Sequence, residues 1–504
     1  MEQTKKVLKE TRQKETIKDD KSSNKTKVLF VASECQPFCA TGGLADVCAS
    51  LPKFITASYK DIDIRVMLPL YGTIKEEYRK GFKFVGEWYV SLSWRKEYCG
   101  VFEYDYQGVK YYFLDNERYF KRDNYQYGYG DDHERFAFFS KACVEVLPLL
   151  NFEPDVIHSN DWQTALIPVY LKTGKFSQEF YNKIKTVMCI HNIAYQGRFG
   201  LDIVNDVLGI DKQHTKLLEF DGDSNFMKAG VVCADKVITV SPSYANEIQS
   251  GEYAHGLDSI MREYSYKLQG ILNGIDNDDN DPKTDKNIYM NYDKNTLDKK
   301  LENKFALQRE FGLNIDEKAP ILAVVARFPK HKGIDLIKAT MEKFLVEGGA
   351  QFVAVGEGEK EFEDYFKYLN AKYPKQAHIS LGFSREIGKK IYAGADIYLM
   401  PSKSEPCGLS QMIASRYGTV PIVRETGGLK DSIKDFGCEG GGNGYTFNRY
   451  NVGDFEYSVW RAINDFKDKT EWKKKVEKVM SVDFSWKNTV KNYVDLYNSL
   501  INKG

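Results

Sequence analysis

The sequence predicts an α/β protein of two doubly wound parallel sheets, set in tandem and facing each other across a cleft. Three observations predict it. Short β-branched runs alternate with stretches of helical period almost from end to end. The rhythm breaks once, at QGILNGIDNDDNDPKT, a Gly/Asn/Asp/Pro-rich stretch that reads as an interdomain linker, and then restarts. A chain of 504 residues is also too long for one ordinary domain. The expected layout is a solvated tail over 1–26, a first Rossmann-like domain over 27–270 and a second from 271 onward.

The elements follow in order. Lys27–Ala32 is a buried strand, SECQPFCATGG a loop, and LADVCASLPKFI a helix with Leu44, Val47, Cys48 and Leu51 on one face. IDIRVMLPLY reads as the next parallel strand. Between Phe82 and Phe120 the period drops to two and Tyr and Val abound, with a Gln107-Gly108 turn, so antiparallel hairpins are expected there. RFAFFSKACVEVLPLL is a helix and DVIHS a short strand; a loop NDWQ and the helix TALIPVYLK follow. KTVMCIHN and KVITVSPS are two further strands. Past the linker come ILAVVAR, QFVAVGEG, ISLGF, DIYLMPS and VPIVRET as strands, with helices between them.

Composition narrows the class. Apolar residues at 42% and charged residues at 28% suit a globular protein with a sizeable core. A formal net charge of +0 gives no reason to expect nucleic acid or an acidic membrane surface as partner. No run approaches the roughly 20 apolar residues that span a bilayer. The N-terminus has no apolar core of a secretory signal. The nine cysteines are scattered without metal spacing, and Cys143, Cys189 and Cys233 sit in apolar runs, which fits a reducing cytoplasm. Aromatic residues at 14% leave room for surfaces that stack sugars or bases.

In doubly wound sheets ligands bind beyond the carboxyl ends of the strands, so the loops there carry the candidates. Gly42 and Gly43 permit positive φ and close approach, and the helix behind them aims free N–H groups at an anion; a tight turn without ligand fits equally well. Arg327 and Lys332, across the turn ARFPKHKG, are placed either to clamp a diphosphate or as a solvated basic turn. Glu405, in a Pro/Cys/Gly loop, is a sugar-binding acid or a helix cap. His191 is a cleft ligand or a core histidine, Asp46 a cleft acid or a first-turn acid, and Phe383 a stacking ring or a core residue. Asp161 and Gln163 follow DVIHS, and Thr426-Gly427-Gly428 forms a second glycine turn. There is no Ser-His-Asp order, HExxH or Walker motif, and no acidic cluster that demands a metal. The residues alone lead to a two-domain enzyme handling a phosphate-bearing ligand.

SECQPFCATGGLADV, HSNDWQTAL, CIHNIAYQG, GILNGID, ARFPKHKGIDL and EPCGLSQ with TGGL closely resemble the bacterial glycogen synthases and plant starch synthases, from about Lys27 to the C-terminus. The resemblance implies a GT-B fold and retaining transfer of glucose from ADP-glucose to the 4-OH end of an α-1,4-glucan, with no metal or other cofactor. It assigns 27–270 to the glucan side and 271–485 to the nucleotide-sugar side, with a last helix within 486–504 crossing back to the first domain. It makes Arg327 and Lys332 the diphosphate pair, Glu405 the acid beside the donor sugar and Phe383 the ring on the adenine. Gly42, Gly43 and Thr426-Gly427-Gly428 match the nucleotide-side turns; Asp46, Asp161, Gln163, His191 and Asn273 match polar cleft positions.

Two positions depart from the family pattern. The first motif usually carries Lys where Ala40 stands, and Asp-Trp-His becomes Asp161-Trp162-Gln163. An amide donates and accepts hydrogen bonds but carries no proton. His158, His133 and Arg135 are nearby groups available to compensate. The departures keep two further readings open: a weak or inactive relative that binds glucan or a partner enzyme, and a transferase of another donor or acceptor.

Overall fold

A computed structural model describes residues 25–122, 125–174, 176, 178–382 and 384–501. The tail call over 1–26 lies outside the described residues except for its last two, and Thr26 already belongs to the first strand.

Among the described residues the first lobe is built on a nine-stranded sheet. In chain order its strands are β1 (Thr26–Val31), β2 (Ile62–Pro69), β3 (Lys83–Leu92), β4 (Arg95–Tyr106), β5 (Val109–Asp115), β6 (Val156–Asn160), β7 (Lys185–Ile190), β8 (Lys236–Thr239) and β9 (Leu268–Gly270). They lie side by side as β9-β8-β7-β6-β1-β2-β5-β4-β3. From β9 to β5 every pair is parallel, and β5-β4-β3 are antiparallel. The Tyr-rich period-two stretch is therefore a hairpin extension of the parallel sheet. Its two-residue Gln107-Gly108 turn has both φ values positive, as the twist of a tight hairpin requires.

The second lobe holds a six-stranded parallel sheet: β10 (Ile321–Val325), β11 (Gln351–Gly356), β12 (Ala377–Leu381), β13 (Ile397–Met400), β14 (Val420–Arg424) and β15 (Tyr445–Phe447). Its order, β12-β11-β10-β13-β14-β15, reverses direction between β10 and β13. In the first sheet the reversal falls at β1, between β2 and β6. Each lobe thus has a crevice at its switch point, where such sheets bind ligands.

Five helices matter below: α1 (Gly43–Ser58), α2 (Pro242–Glu247), α3 (Asp298–Glu310), α4 (Gly427–Ser432) and α5 (Trp486–Ile501). The linker reading of QGILNGIDNDDNDPKT holds only in part, because its first residues complete β9 at the edge of the first sheet. α5 returns to the first lobe. It buries Trp486, Val490, Tyr493, Val494, Leu496 and Tyr497 in that lobe's core, against α1. The two crossings between lobes run side by side: Ile275 N–H donates to Phe484 O at 2.8 Å.

Candidate active site

The second-lobe crevice is made by the loops after β10 and β13, which neighbouring parallel strands bring together. Gly333 lets them touch: a Cβ there would sit 2.2 Å from the Pro401 carbonyl oxygen. Lys403 N–H donates to His331 O across the gap at 2.8 Å. This closeness brings Lys332 Nζ to 2.5 Å from Glu405 Oε2, and Ser402 Oγ donates to the same oxygen at 3.2 Å. Glu405 is buried, while Lys332 keeps a fifth of its side chain accessible. Arg327 stands at the same mouth, exposed, with no hydrogen bond or ion pair to the described residues. A neutralised acid, a half-free ammonium and a free guanidinium form a site with surplus positive charge, suited to a diphosphate.

In the first-lobe crevice Gly42 is the N-cap of α1, and it is extended, with φ −164°. The expected positive φ is absent at both Gly42 and Gly43. Openness is what the glycines supply: a Cβ on Gly42 would meet nothing within 4 Å. One on Gly43 would lie 4.0 Å from Leu409 Cδ1 of the second lobe, so this turn faces the Glu405–Leu409 loop. Sequence reasoning missed the residue that shapes the turn. Glu34, buried past the end of β1, accepts the Thr41 N–H and, at 2.7 Å, the Thr41 hydroxyl. Burial raises its carboxyl above the ordinary range. An acid three residues past the end of β1, in the loop that leads to the glycines, was the available signal. Ala40 is exposed, and Asp46 is also solvent-accessible on α1.

The loops after β6 and β7 form one hydrogen-bonded unit. Asp161 has φ +56°, a strained conformation for a residue with a side chain. Its Oδ1 accepts the N–H of His191 at 2.7 Å and of Asn192 at 3.4 Å. Burial pushes its carboxyl up to about 7, against the pull of those two N–H groups. The His191 ring pairs with Asn160 Oδ1 at 2.8 Å, and the protein around it pushes its pKa down to about 3, so it is neutral near pH 7. Gln163 is buried, and its Oε1 has no hydrogen-bond partner among the described residues. Beside it opens a cavity of about 410 Å³, with Trp162, Tyr195, Arg198 and His255 in its lining.

Thr426-Gly427-Gly428 is buried and its amides are occupied by protein: Gly427 N–H donates to Glu247 Oε1 at 2.8 Å, and Gly428 N–H to the carbonyls of Glu405 and Pro406 at 3.2 and 3.1 Å. The glycines allow α4 to pack on the Glu405 loop, since a Cβ on Gly427 would meet Glu405 O at 2.0 Å. Asn273 is buried where the lobes join, with Oδ1 accepting from Tyr493 of α5 at 3.4 Å. Neither His158 nor Arg135 replaces the missing groups. His158 is fully buried with Nδ1 2.8 Å from Tyr497 Oη, and Arg135 is fully buried and bonded to Tyr119 O and Asp132. His133 packs against Phe199. Phe383 lies outside the described residues.

Comparison with known proteins agrees with this architecture. The starch synthase catalytic domain matches residues 27–263, and the domain described as glycosyl transferases group 1 matches 308–479. The glycogen synthase of Clostridium kluyveri is 44% identical over 94% of this chain and 100% of its own length. That of Lachnospira eligens is 46% identical over 94% and 99%. Among solved structures, the catalytic domain of Arabidopsis thaliana starch synthase IV, bound to ADP and acarbose, is similar with a TM-score of 0.87 and 31% identity, covering 95% of this chain and 100% of that one. Sucrose-phosphate synthase of Thermosynechococcus elongatus shares the fold at a TM-score of 0.60 and 15% identity. With two Rossmann-like lobes, a switch-point crevice in each and relatives matched along nearly its whole length, the chain belongs to the glycogen synthase and starch synthase family of GT-B glucosyltransferases.

Proposed function

We propose that the cleft moves glucose from ADP-glucose to the 4-OH at the non-reducing end of an α-1,4-glucan, with retention at the anomeric carbon. The observation that carries this reading is the Lys332–Glu405 pair at 2.5 Å beside the exposed Arg327. Arg327 and Lys332 take the diphosphate and stabilise the charge that grows on it as the C1–O bond breaks. Glu405 holds Lys332 in place and faces the donor glucose. The acceptor oxygen enters on the face the diphosphate leaves, forms the new C1–O4 bond, and passes its proton to the departing phosphate oxygen. Gly42 and Gly43, open at the start of α1, receive the nucleotide from the first lobe. The cavity lined by Trp162 and the exposed Tyr195 is suited to hold the glucan, because an aromatic face stacks on pyranose rings. Gln163 and Asp161 hydrogen-bond the sugar hydroxyls between the two.

The test is incorporation of labelled glucose from ADP-glucose into glycogen, with UDP-glucose in parallel. Turnover with ADP-glucose is the expected result. Exposed Ala40 and the amide at Gln163 favour a second reading, a glucan-binding relative with little or no transfer. A folded protein that binds glycogen and incorporates no glucose from either donor establishes that second reading instead.

A further inference from the structure

The first lobe reaches past its own wall of the cleft through α2, which follows β8. Ser241 caps this helix: its Oγ accepts Tyr244 N–H at 3.2 Å and donates to the Pro406 carbonyl at 2.6 Å. Ser243 donates its N–H and its hydroxyl to the Asp431 carboxylate, both at 2.7 Å. Glu247, the last residue of α2, turns Oε1 to the start of α4, where it accepts Gly427 N–H at 2.8 Å and the Thr426 hydroxyl at 3.0 Å. On the other side of α2, the Tyr244 hydroxyl accepts Ile193 N–H at 3.1 Å, two residues beyond His191. One short helix therefore bonds both walls of the cleft.

The bonds continue to Glu405. Glu247 fixes the Gly427 N–H, and the next amide, Gly428, holds the Glu405 and Pro406 carbonyls. The tight Gly427–Glu405 packing leaves α4 no room to shift without moving the Glu405 loop. We propose that Glu247 is a positioning residue for glucosyl transfer: through α4, its carboxylate sets where Glu405 stands relative to the first-lobe wall. The proposal rests on the reading of Glu405 as a cleft acid.

Simple adhesion between lobes does not explain a glutamate here. Glu247 Oε2 is buried without a partner among the described residues, and leaving a carboxylate oxygen unpaired out of water is unfavourable. An apolar side chain would join the lobes more strongly. What the carboxylate adds is one oxygen that takes two donors at the orphan end of α4.

Glu247→Ala removes both bonds. Glu247→Gln keeps an oxygen for both donors and puts its amide nitrogen where Oε2 has none. Glu247→Ala should lower kcat about 10- to 100-fold, the size of one or two hydrogen bonds to a charged group. Its KM for ADP-glucose should stay within about twofold, and Glu247→Gln should keep kcat within about threefold of the parent. Hydrogen exchange should quicken in the segment 403–409 and at Gly427-Gly428 in the alanine variant alone. Parent-like kcat in Glu247→Ala, equal loss in both variants, or lost kcat with unchanged exchange in 403–409 would overturn the proposal. If the parent itself transfers no glucose, the functional reading fails separately, and exchange alone decides: no difference between Glu247→Ala and parent overturns the positioning role. If Glu247→Ala does not fold, Ser241→Ala takes its place. Losing the 2.6 Å bond to Pro406, it should show the same split between kcat and KM, and parent-like kcat there counts against the proposal.

Discussion

Lys332 is the residue on which the proposed chemistry turns. Lys332→Ala removes one of the two cations proposed for the diphosphate and leaves buried Glu405 with the Ser402 hydroxyl alone, so kcat should fall by about 10²-fold or more, read as ADP release. Parent-like turnover in that variant refutes the leaving-group role. Ala40→Lys restores a charge-assisted contact at an exposed position. Calorimetry with ADP should show affinity rising by about one to two decades, the equivalent of roughly 1.5–3 kcal/mol; unchanged affinity removes the nucleotide from the Gly42-Gly43 turn. Asp161 gives a pH prediction. Its folded pKa of about 7 lies above the ordinary carboxylate value, so its contribution to stability is present at low pH and lost as pH rises through 7. Asp161→Asn keeps the accepting oxygen and loses the titration. Its melting temperature relative to the parent should be higher at pH 8 than at pH 5, by about 2 °C for each ~1 kcal/mol in a lobe of this size. An equal offset at both pH values contradicts the assignment. The candidate cations and Glu405 were legible because they sit in short turns between a strand and a helix, where local pattern alone places a side chain at the strand's carboxyl end. The partner of the Gly427 amide was not legible. It is Glu247, on the other lobe and far away in sequence, and local pattern carries no information about such a pairing.

Among the elements, β9 and β15, three residues each, are too short to read, while the longer parallel strands β1, β2, β6–β8 and β10–β14 were readable because parallel strands buried on two faces form continuous apolar runs. α3 was not. Its sequence DKKLENKFALQRE has little apolar periodicity, because it buries Lys300, Asn303, Lys304 and Gln308 beside Leu307. Lys300 Nζ, for example, donates to the carbonyls of Ala393 and Ala395 at 2.9 and 3.0 Å, and burial lowers its pKa to about 7. A helix that packs through lysine–carbonyl bonds does not show an apolar stripe. The meeting of α4 with the Glu405 loop gives the prediction at this scale. Gly427→Ala places a Cβ 2.0 Å from Glu405 O at a residue with φ +44°. The strain is on the order of 1–3 kcal/mol, so the melting temperature should drop and kcat should fall together. A variant with unchanged melting and turnover means the two elements do not depend on each other.

In the whole molecule, two lobes meet through α2, the paired crossings and α5, while the candidate groups stand on opposite walls. Arg327 is exposed and the Gly42-Gly43 turn is open, so closing the cleft on a nucleotide brings the two halves of the site together. X-ray scattering should show a smaller radius of gyration with ADP than without; identical profiles exclude that closure. The lobe-to-lobe layout was legible only as a rhythm that stops and restarts. The return of α5 came from family resemblance, since nothing in its own sixteen residues names the surface it covers.

That return has a consequence for synthesis. Trp486 and Tyr497 are part of the first lobe's core, yet they leave the ribosome long after Gly270, the end of that lobe's last strand. At the usual 5–20 residues per second, roughly ten to forty seconds separate Gly270 from Trp486. Throughout that interval the nascent first lobe carries an unfilled apolar groove along α1, a surface on which chaperones act. The second lobe must therefore be made before the first is sealed, and a chain released early has a groove without its helix.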